Sequence, residues 1–235
     1  MPVLPTSLSA GQPLGASGSS AAGLSAIARN EPIWAGMRPH KSEAAGYNTV
    51  RPANMKPLDS TIAFRTPWFD LLAKTLEPGG PPWYSLRLPD YAAILALTPE
   101  NRVLIVRQYR PAVERYMLEL PSGLVDPGET PEETARRELL EETGYEAGSL
   151  EVLGSMFPDT GRLGNRIWNC FATAVRPVAG YVTEAGIETL VWTLEELARA
   201  MLDGRFDHSL HVATLMAAVA RGKLKLPEAQ PRMAP

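Results

Sequence analysis

From Gly123 to Tyr145 the chain can do little except turn and then wind into one short, heavily charged helix. The segment opens through Asp126-Pro127-Gly128, a turn-forming loop. Thr130 then offers an N-cap, Pro131 suits the first helical position, and Glu133 completes a capping box with Thr130. The spacing predicts a helix over 131–143 that stops at Gly144, a residue at ease in the left-handed region. Ala135, Leu139 and Leu140 supply its apolar stripe. Glu138, Glu141 and Glu142 gather on a flank, where carboxylates three and four apart share one face and repel. A hard cation relieves such crowding, and Mg²⁺ takes oxygen ligands while keeping positions open for water and substrate phosphates. Arg137, one turn after Glu133 and one turn before Glu141, neutralises part of the cluster. A solvated, salt-bridged helix face would use the same residue types, and spacing alone leaves both readings open.

The wider pattern adds to this. Gly123, five residues, Glu129, seven residues, then Arg137-Glu138-Leu139-x-Glu141-Glu142-x-Gly144-Tyr145 resembles the Nudix box, with every defining position filled. The resemblance implies a Mg²⁺- or Mn²⁺-dependent hydrolase of a nucleoside diphosphate linked to another group. It also implies an α/β fold, the α/β/α sandwich with a mixed sheet, in which the box forms a loop–helix–loop.

Bulk properties agree. A chain of 235 residues with 45% hydrophobic content can bury a full core. The net charge of −3 argues against a nucleic-acid partner drawn in by bulk charge. Cys170 is the single cysteine, so no intrachain disulfide forms, and a reducing, cytoplasmic compartment is expected. No apolar run approaches the roughly 18–20 residues that span a membrane.

Residues 1–54 are rich in Gly, Ala, Ser and Pro, carry no acidic residue before Glu31, and read as a disordered extension. An ordered start near Met55 and an organelle transit peptide are the other readings of that stretch. Residues 55–89 read as an N-terminal β-hairpin subdomain, with strands over 66–76 and 83–88. A Nudix hydrolase domain is expected over 90–226 and a frayed tail over 227–235. Within that domain a second hairpin is expected from Tyr91–Leu97 and Arg102–Tyr109. Met117–Leu120, Leu150–Phe157, Ile167–Val175 and Glu188–Trp192 would complete one mixed sheet. Two helices follow, one capped by Thr193 with Glu196 and ending at Gly204. The other runs from His208 to Arg221, with Leu210, Val212, Leu215, Met216 and Val219 as its apolar stripe.

The surroundings of the box resemble the ADP-ribose pyrophosphatase subfamily. Val106-Arg107-Gln108-Tyr109-Arg110-Pro111 and Leu118-Glu119-Leu120-Pro121-Ser122-Gly123 look like its lead-in to the box, and the hairpin resembles its small dimerising subdomain. The resemblance covers roughly Trp68 to Arg221. It implies hydrolysis of ADP-ribose to AMP and ribose 5-phosphate by a homodimer. Arg110 would contact the diphosphate or terminal ribose, and Trp68, Trp83 and Arg87 would bind the adenine side. Glu138, Glu142, Glu141 and the Ser122 carbonyl would hold the metal, while Glu129 and Arg137 orient the cluster. Glu184, on a loop flanked by Gly180 and Gly186, is the general-base candidate, with Glu188 as the alternative. His208 and His211 read as surface residues, and Cys170 as a strand residue rather than a nucleophile. Other small-molecule nucleotides, an RNA 5′ end, or a non-catalytic binding role on the same scaffold are the competing readings.

Overall fold

The computed structural model describes residues 56–227. The expected extension over 1–54 lies outside these residues, as does all of the 227–235 tail after Pro227.

Strand β4 (Tyr91–Ala96) is apolar on both faces, and Ala92 to Ala96 are completely buried. A strand of that kind needs cover above and below and partners on both edges. It pairs in parallel with β10 (Ile167–Thr173) and antiparallel with β7 (Ser122–Leu124). β10 in turn pairs antiparallel with β9 (Ser149–Met156), which gives a mixed sheet in the order β7-β4-β10-β9. Strand β5 (Val103–Arg110) belongs to a separate antiparallel sheet, between β12 (Ile187–Trp192) and β6 (Arg115–Glu119). The hairpin expected from 91–97 and 102–109 is therefore not a ladder. Its strands meet only at the Leu97–Val103 bridge, because both edges of β4 are already taken. The strands expected in one mixed sheet thus divide between two, and the short β8 (Tyr145–Glu146) and β11 (Arg176–Pro177) pair antiparallel with each other.

Alternation along β4 distributes its side chains to two cores. Ala92, Ile94 and Ala96 meet Ala135 and Leu139 of helix α1 (Pro131–Thr143). Leu95 meets Leu197 of helix α2 (Leu194–Leu202) and Leu215 of helix α3 (Ser209–Ala220). Each fully buried Leu or Ile contributes about 1.5–3 kcal/mol, so both sides of the sheet draw their helices in. This is the α/β sandwich with a mixed sheet.

α1 has the expected bounds and caps. Thr130 Oγ1 accepts from the Glu133 N–H at 3.2 Å, and the Glu133 carboxylate accepts from the Thr130 N–H at 2.8 Å. Gly144, at φ 72°, donates its N–H to the Leu140 carbonyl at 2.8 Å. The apolar stripe of α3 differs from expectation. Met216 is exposed, Leu210, Val212 and Val219 are half-buried, and the buried side includes His211, Thr214, Leu215 and Ala218. The two polar side chains face inward because each is satisfied there: Thr214 Oγ1 donates to Asn169 Oδ1 at 2.8 Å, and His211 Nδ1 accepts from the Leu120 N–H at 3.0 Å.

Ahead of the sandwich, β1 (Asp59–Arg65), β2 (Asp70–Thr75) and β3 (Trp83–Arg87) form a three-stranded antiparallel sheet. The β2–β3 hairpin stands where the sequence suggested one. β1 was not foreseen, since all its residues are exposed and burial leaves little pattern to detect. Thr66 makes the β1–β2 turn, its Oγ1 accepting from the N–H groups of Trp68 and Phe69.

Thr130→Ala removes one side of the capping box and should lower unfolding stability by about 1 kcal/mol in urea melts. An unchanged midpoint would show that the cap is not needed to hold α1.

Candidate active site

Gly123 and Glu138 fix the heart of the site. β7 passes so close to α1 that a Cβ at Gly123 would lie 1.9 Å from the Glu138 carboxyl carbon. Any side chain there would displace the carboxylate. Arg137 gathers the neighbouring acids. Its Nε and Nη2 reach the two oxygens of Glu129 at 2.9 Å each, and its Nη1 reaches Glu138 at 2.6 Å and Glu141 at 3.1 Å. Thr134 Oγ1 donates to Glu129 at 2.8 Å. The Arg137 guanidinium, with Thr134, holds the Glu129 carboxyl at about 2, far below the usual range, although Glu129 is solvent-accessible.

Glu142 is placed differently. Only 5% of it is exposed, and it accepts the Ser122 N–H at 2.9 Å. Burial pushes its carboxyl up to about 8, a single backbone bond and the field of Arg110 offset only part of this, and the Glu138 charge raises it further. Burial also raises Glu138, against the pull of Arg137. Two crowded, desolvated carboxylates beside the strand end at Ser122 make an all-oxygen donor set short of positive charge. That set fits a hard divalent cation.

Arg110, at the end of β5, is held by Glu119 of β6. Its Nε lies 3.0 and 3.2 Å from the two carboxylate oxygens, and Nη2 donates to the same group. It is therefore ion-paired at the strand end. Burial pulls its pKa down, but the Glu119 carboxylate overrides this and holds it above the ordinary value, helped by the charges of Glu142 and Glu184. His208 and His211, read from the sequence as surface residues without a third ligand nearby, stand beside Glu119 instead. Their rings stack at 4.0 Å, His211 is almost completely buried, and ligand atoms of all three residues lie within 4.8 Å of one another. The surface reading fails because the start of α3 packs onto the chain just after β6, at Leu120. Burial, the neighbouring His208 and Arg110 hold His211 neutral. With Nδ1 accepting from Leu120, its proton sits on Nε2, so neither nitrogen offers a lone pair to a metal.

The loop carrying Glu184 docks on the box helix. The Glu184 N–H donates to the Glu141 carbonyl at 3.0 Å, and the Val178 N–H to the Gly144 carbonyl at 2.8 Å. Glu188 is occupied by an ion pair with Arg107 at 3.0 Å, across the β5–β12 ladder. Trp68, Trp83 and Arg87 belong to the β1–β3 region. Trp68 is exposed in the β1–β2 turn, Arg87 pairs with Asp70, and the Arg162 guanidinium lies 4.5 Å over the Trp83 ring. Among the described residues, no hydrogen bond, ion pair or ring contact joins these three to the carboxylate cluster.

The family model described as a NUDIX domain matches residues 87–211, more than half of the chain. The chain belongs to the Nudix family. Nudix hydrolases depend on a divalent metal, as the donor set here would require. An ADP-ribose pyrophosphatase of Bacillus subtilis is 42% identical over 73 residues, which is 31% of this chain and 40% of that protein. One from Mycobacterium tuberculosis is 34% identical over 129 residues, 53% of this chain and 62% of that protein. A methanol dehydrogenase activator of Bacillus methanolicus is 43% identical over 76 residues, 32% and 41% of the two chains. The Nudix chain thus spans less than two thirds of the length of each of these relatives. The crystal structure of an ADP compounds hydrolase shares the fold, with a TM-score of 0.60 at 23% identity over 72% of this chain and 96% of that one.

From the sequence, neither Glu119 nor Gln108 has a role, and His211 reads as a surface residue. A signal was present: strand alternation from Met117 puts Glu119 on the same inward face. An inward glutamate beside an arginine on the neighbouring strand calls for a pair.

Two outcomes follow for this Nudix chain. Gly123→Ala should cost ~10²-fold in divalent-dependent turnover by displacing Glu138, and kinetics near wild type would contradict the close packing. The second concerns pH. Burial holds the folded Glu142 carboxyl at about 8, against an ordinary glutamate value of 4.5. Its contribution to stability is therefore full below the unfolded value and lost as pH rises through about 8. Melts in EDTA should show Glu142→Gln gaining on wild type from about pH 5 to about pH 8, the histidines cancelling in the comparison. A constant difference would contradict the burial argument.

Proposed function

We propose that this protein hydrolyses ADP-ribose to AMP and ribose 5-phosphate with Mg²⁺, Mn²⁺ serving as a substitute. The observation that carries the reading is the pair of crowded box carboxylates, Glu142 buried and Glu138 half-buried, both raised by burial, with Glu142 in the field of Arg110. The relatives named ADP-ribose pyrophosphatase support the substrate choice.

Glu138, Glu142 and Glu141, with the Ser122 carbonyl, would hold the ion, which would supply positive charge to the phosphate oxygens. Arg110 adds a guanidinium donor to the diphosphate, a task its planar fork suits. Glu129 fixes Arg137, and Arg137 spaces Glu138 from Glu141. Glu184 takes a proton from the attacking water as its oxygen bonds to one phosphorus and the anhydride P–O bond breaks. Trp68 and Trp83 offer ring faces to the adenine, with Arg87 beside them; Arg162 moves off one face of Trp83 to admit the base. The exposed Ile62, Phe64, Phe69 and Tyr84 around these tryptophans support a homodimer through the N-terminal sheet. That sheet and the sandwich serve as the hairpin subdomain over 55–89 and the hydrolase domain over 90–226. A cytoplasmic setting agrees with the lone buried Cys170, and no helix among the described residues is long and apolar enough to cross a membrane.

Product analysis across ADP-ribose, other nucleoside diphosphate sugars, NADH and 5′-triphosphate RNA tests the substrate. ADP-ribose should give the highest kcat/KM, with AMP as product. Preference for another compound would move the substrate, and no Mg²⁺-dependent turnover on any of them would favour a binding role. Glu184→Gln should lower the rate on the order of 10²–10⁴-fold; a negligible change would move the base elsewhere.

A further inference from the structure

Glu119 is completely buried, and the proposed reaction gives it no task. A desolvated carboxylate is costly unless it is paired and hydrogen-bonded, and this one is both. It sits on β6 opposite Val106 of β5, takes Nε and Nη2 of Arg110, and lies 3.4 Å from the Gln108 side-chain amide. Two donor positions of the Arg110 guanidinium are thereby committed. Nη1 alone has no hydrogen-bond partner among the described residues.

The neighbouring backbone extends the arrangement. One residue on, the Leu120 N–H is anchored on His211 of α3, and two further on, the Ser122 N–H is anchored on Glu142. Residues 119–122 therefore set the guanidinium and the buried carboxylate of the box against one rigid run of chain. Its other side is locked to the C-terminal helix.

We propose that Glu119 is a positioning residue: it clamps the Nε–Nη2 edge of the Arg110 guanidinium so that the opposite side, led by Nη1, is presented to a phosphate oxygen of the substrate diphosphate. This rests on reading Arg110 as a diphosphate contact. An arginine free to rotate would spend conformational entropy on each binding event, whereas a clamped one is preorganised. Lysine cannot do both tasks, because its point charge has no second edge.

The test is a double-mutant cycle on steady-state kinetics with ADP-ribose. Glu119→Gln and Arg110→Ala should each raise KM about tenfold, the size of one charge-assisted hydrogen bond, with kcat held within about threefold of wild type. In the Arg110→Ala background, Glu119→Gln should add nothing further. Losses that multiply, or a fall in kcat at constant KM, would overturn the proposal. Should Glu119→Gln not fold, Arg110→Lys decides: it keeps a cation on Glu119, yet KM should rise as in Arg110→Ala, and a wild-type KM would overturn the clamp. If wild type does not turn over ADP-ribose, the substrate reading fails separately. The clamp is then read from calorimetric Kd for α,β-methylene-ADP with Mg²⁺, where the same tenfold weakening is expected and an unchanged Kd overturns it.

Discussion

The structure depends on a close approach: β7 runs near enough to α1 that any side chain at Gly123 would have to push the Glu138 carboxylate aside. That contact requires a helix fixed at both ends, hence the Thr130–Glu133 box and the left-handed Gly144. It also requires a rigid sheet behind it, supplied by β4, whose buried strand holds β7 on one edge and β10 on the other. Sandwich and site are one solution. The apolar stripe of α1 buries Ala135 and Leu139, which turns its carboxylate flank toward the strand end at Ser122.

Two arginines divide the electrostatic work. Arg137 spreads over Glu129, Glu138 and Glu141 on the solvent side of the helix, where single ion pairs contribute little but a forked network fixes geometry. Arg110, at the end of β5, is committed to the buried Glu119 of β6. Between them, Glu142 keeps only a backbone donor. The uncompensated group is the one an added cation would serve. The remaining charges are already tied down, so the site is preorganised around a specific deficit of positive charge.

Legibility in the sequence followed the range of the interactions. The bounds of α1 and its caps are set by residues within four positions of one another, and they were readable. So was the cap of α2, where Thr193 and Glu196 repeat the box. Strand locations were readable from apolar runs, but pairing was not. Nothing local says that Tyr91–Ala96 joins Ile167–Thr173 in parallel while Val103–Arg110 leaves for another sheet. The α3 stripe misled for a related reason: hydropathy favours Met216, whereas His211 and Thr214 are drawn inside by partners 91 and 45 residues away. Glu119 was hidden by the same logic, its charge suggesting a surface until Arg110 is seen across the ladder. Among the site residues, those of the box were legible from spacing; those that bear on the substrate depend on where distant segments dock.

The central claim is that Glu142 keeps its proton while buried without a cation and gives it up when one binds. Calorimetric titration of Mn²⁺ at about pH 7, repeated in buffers of different ionisation enthalpy, measures the protons released per ion bound. The account predicts saturable binding with a release approaching about one proton, abolished in Glu142→Gln. Binding of wild type with no proton release, or with the same release in Glu142→Gln, would contradict it.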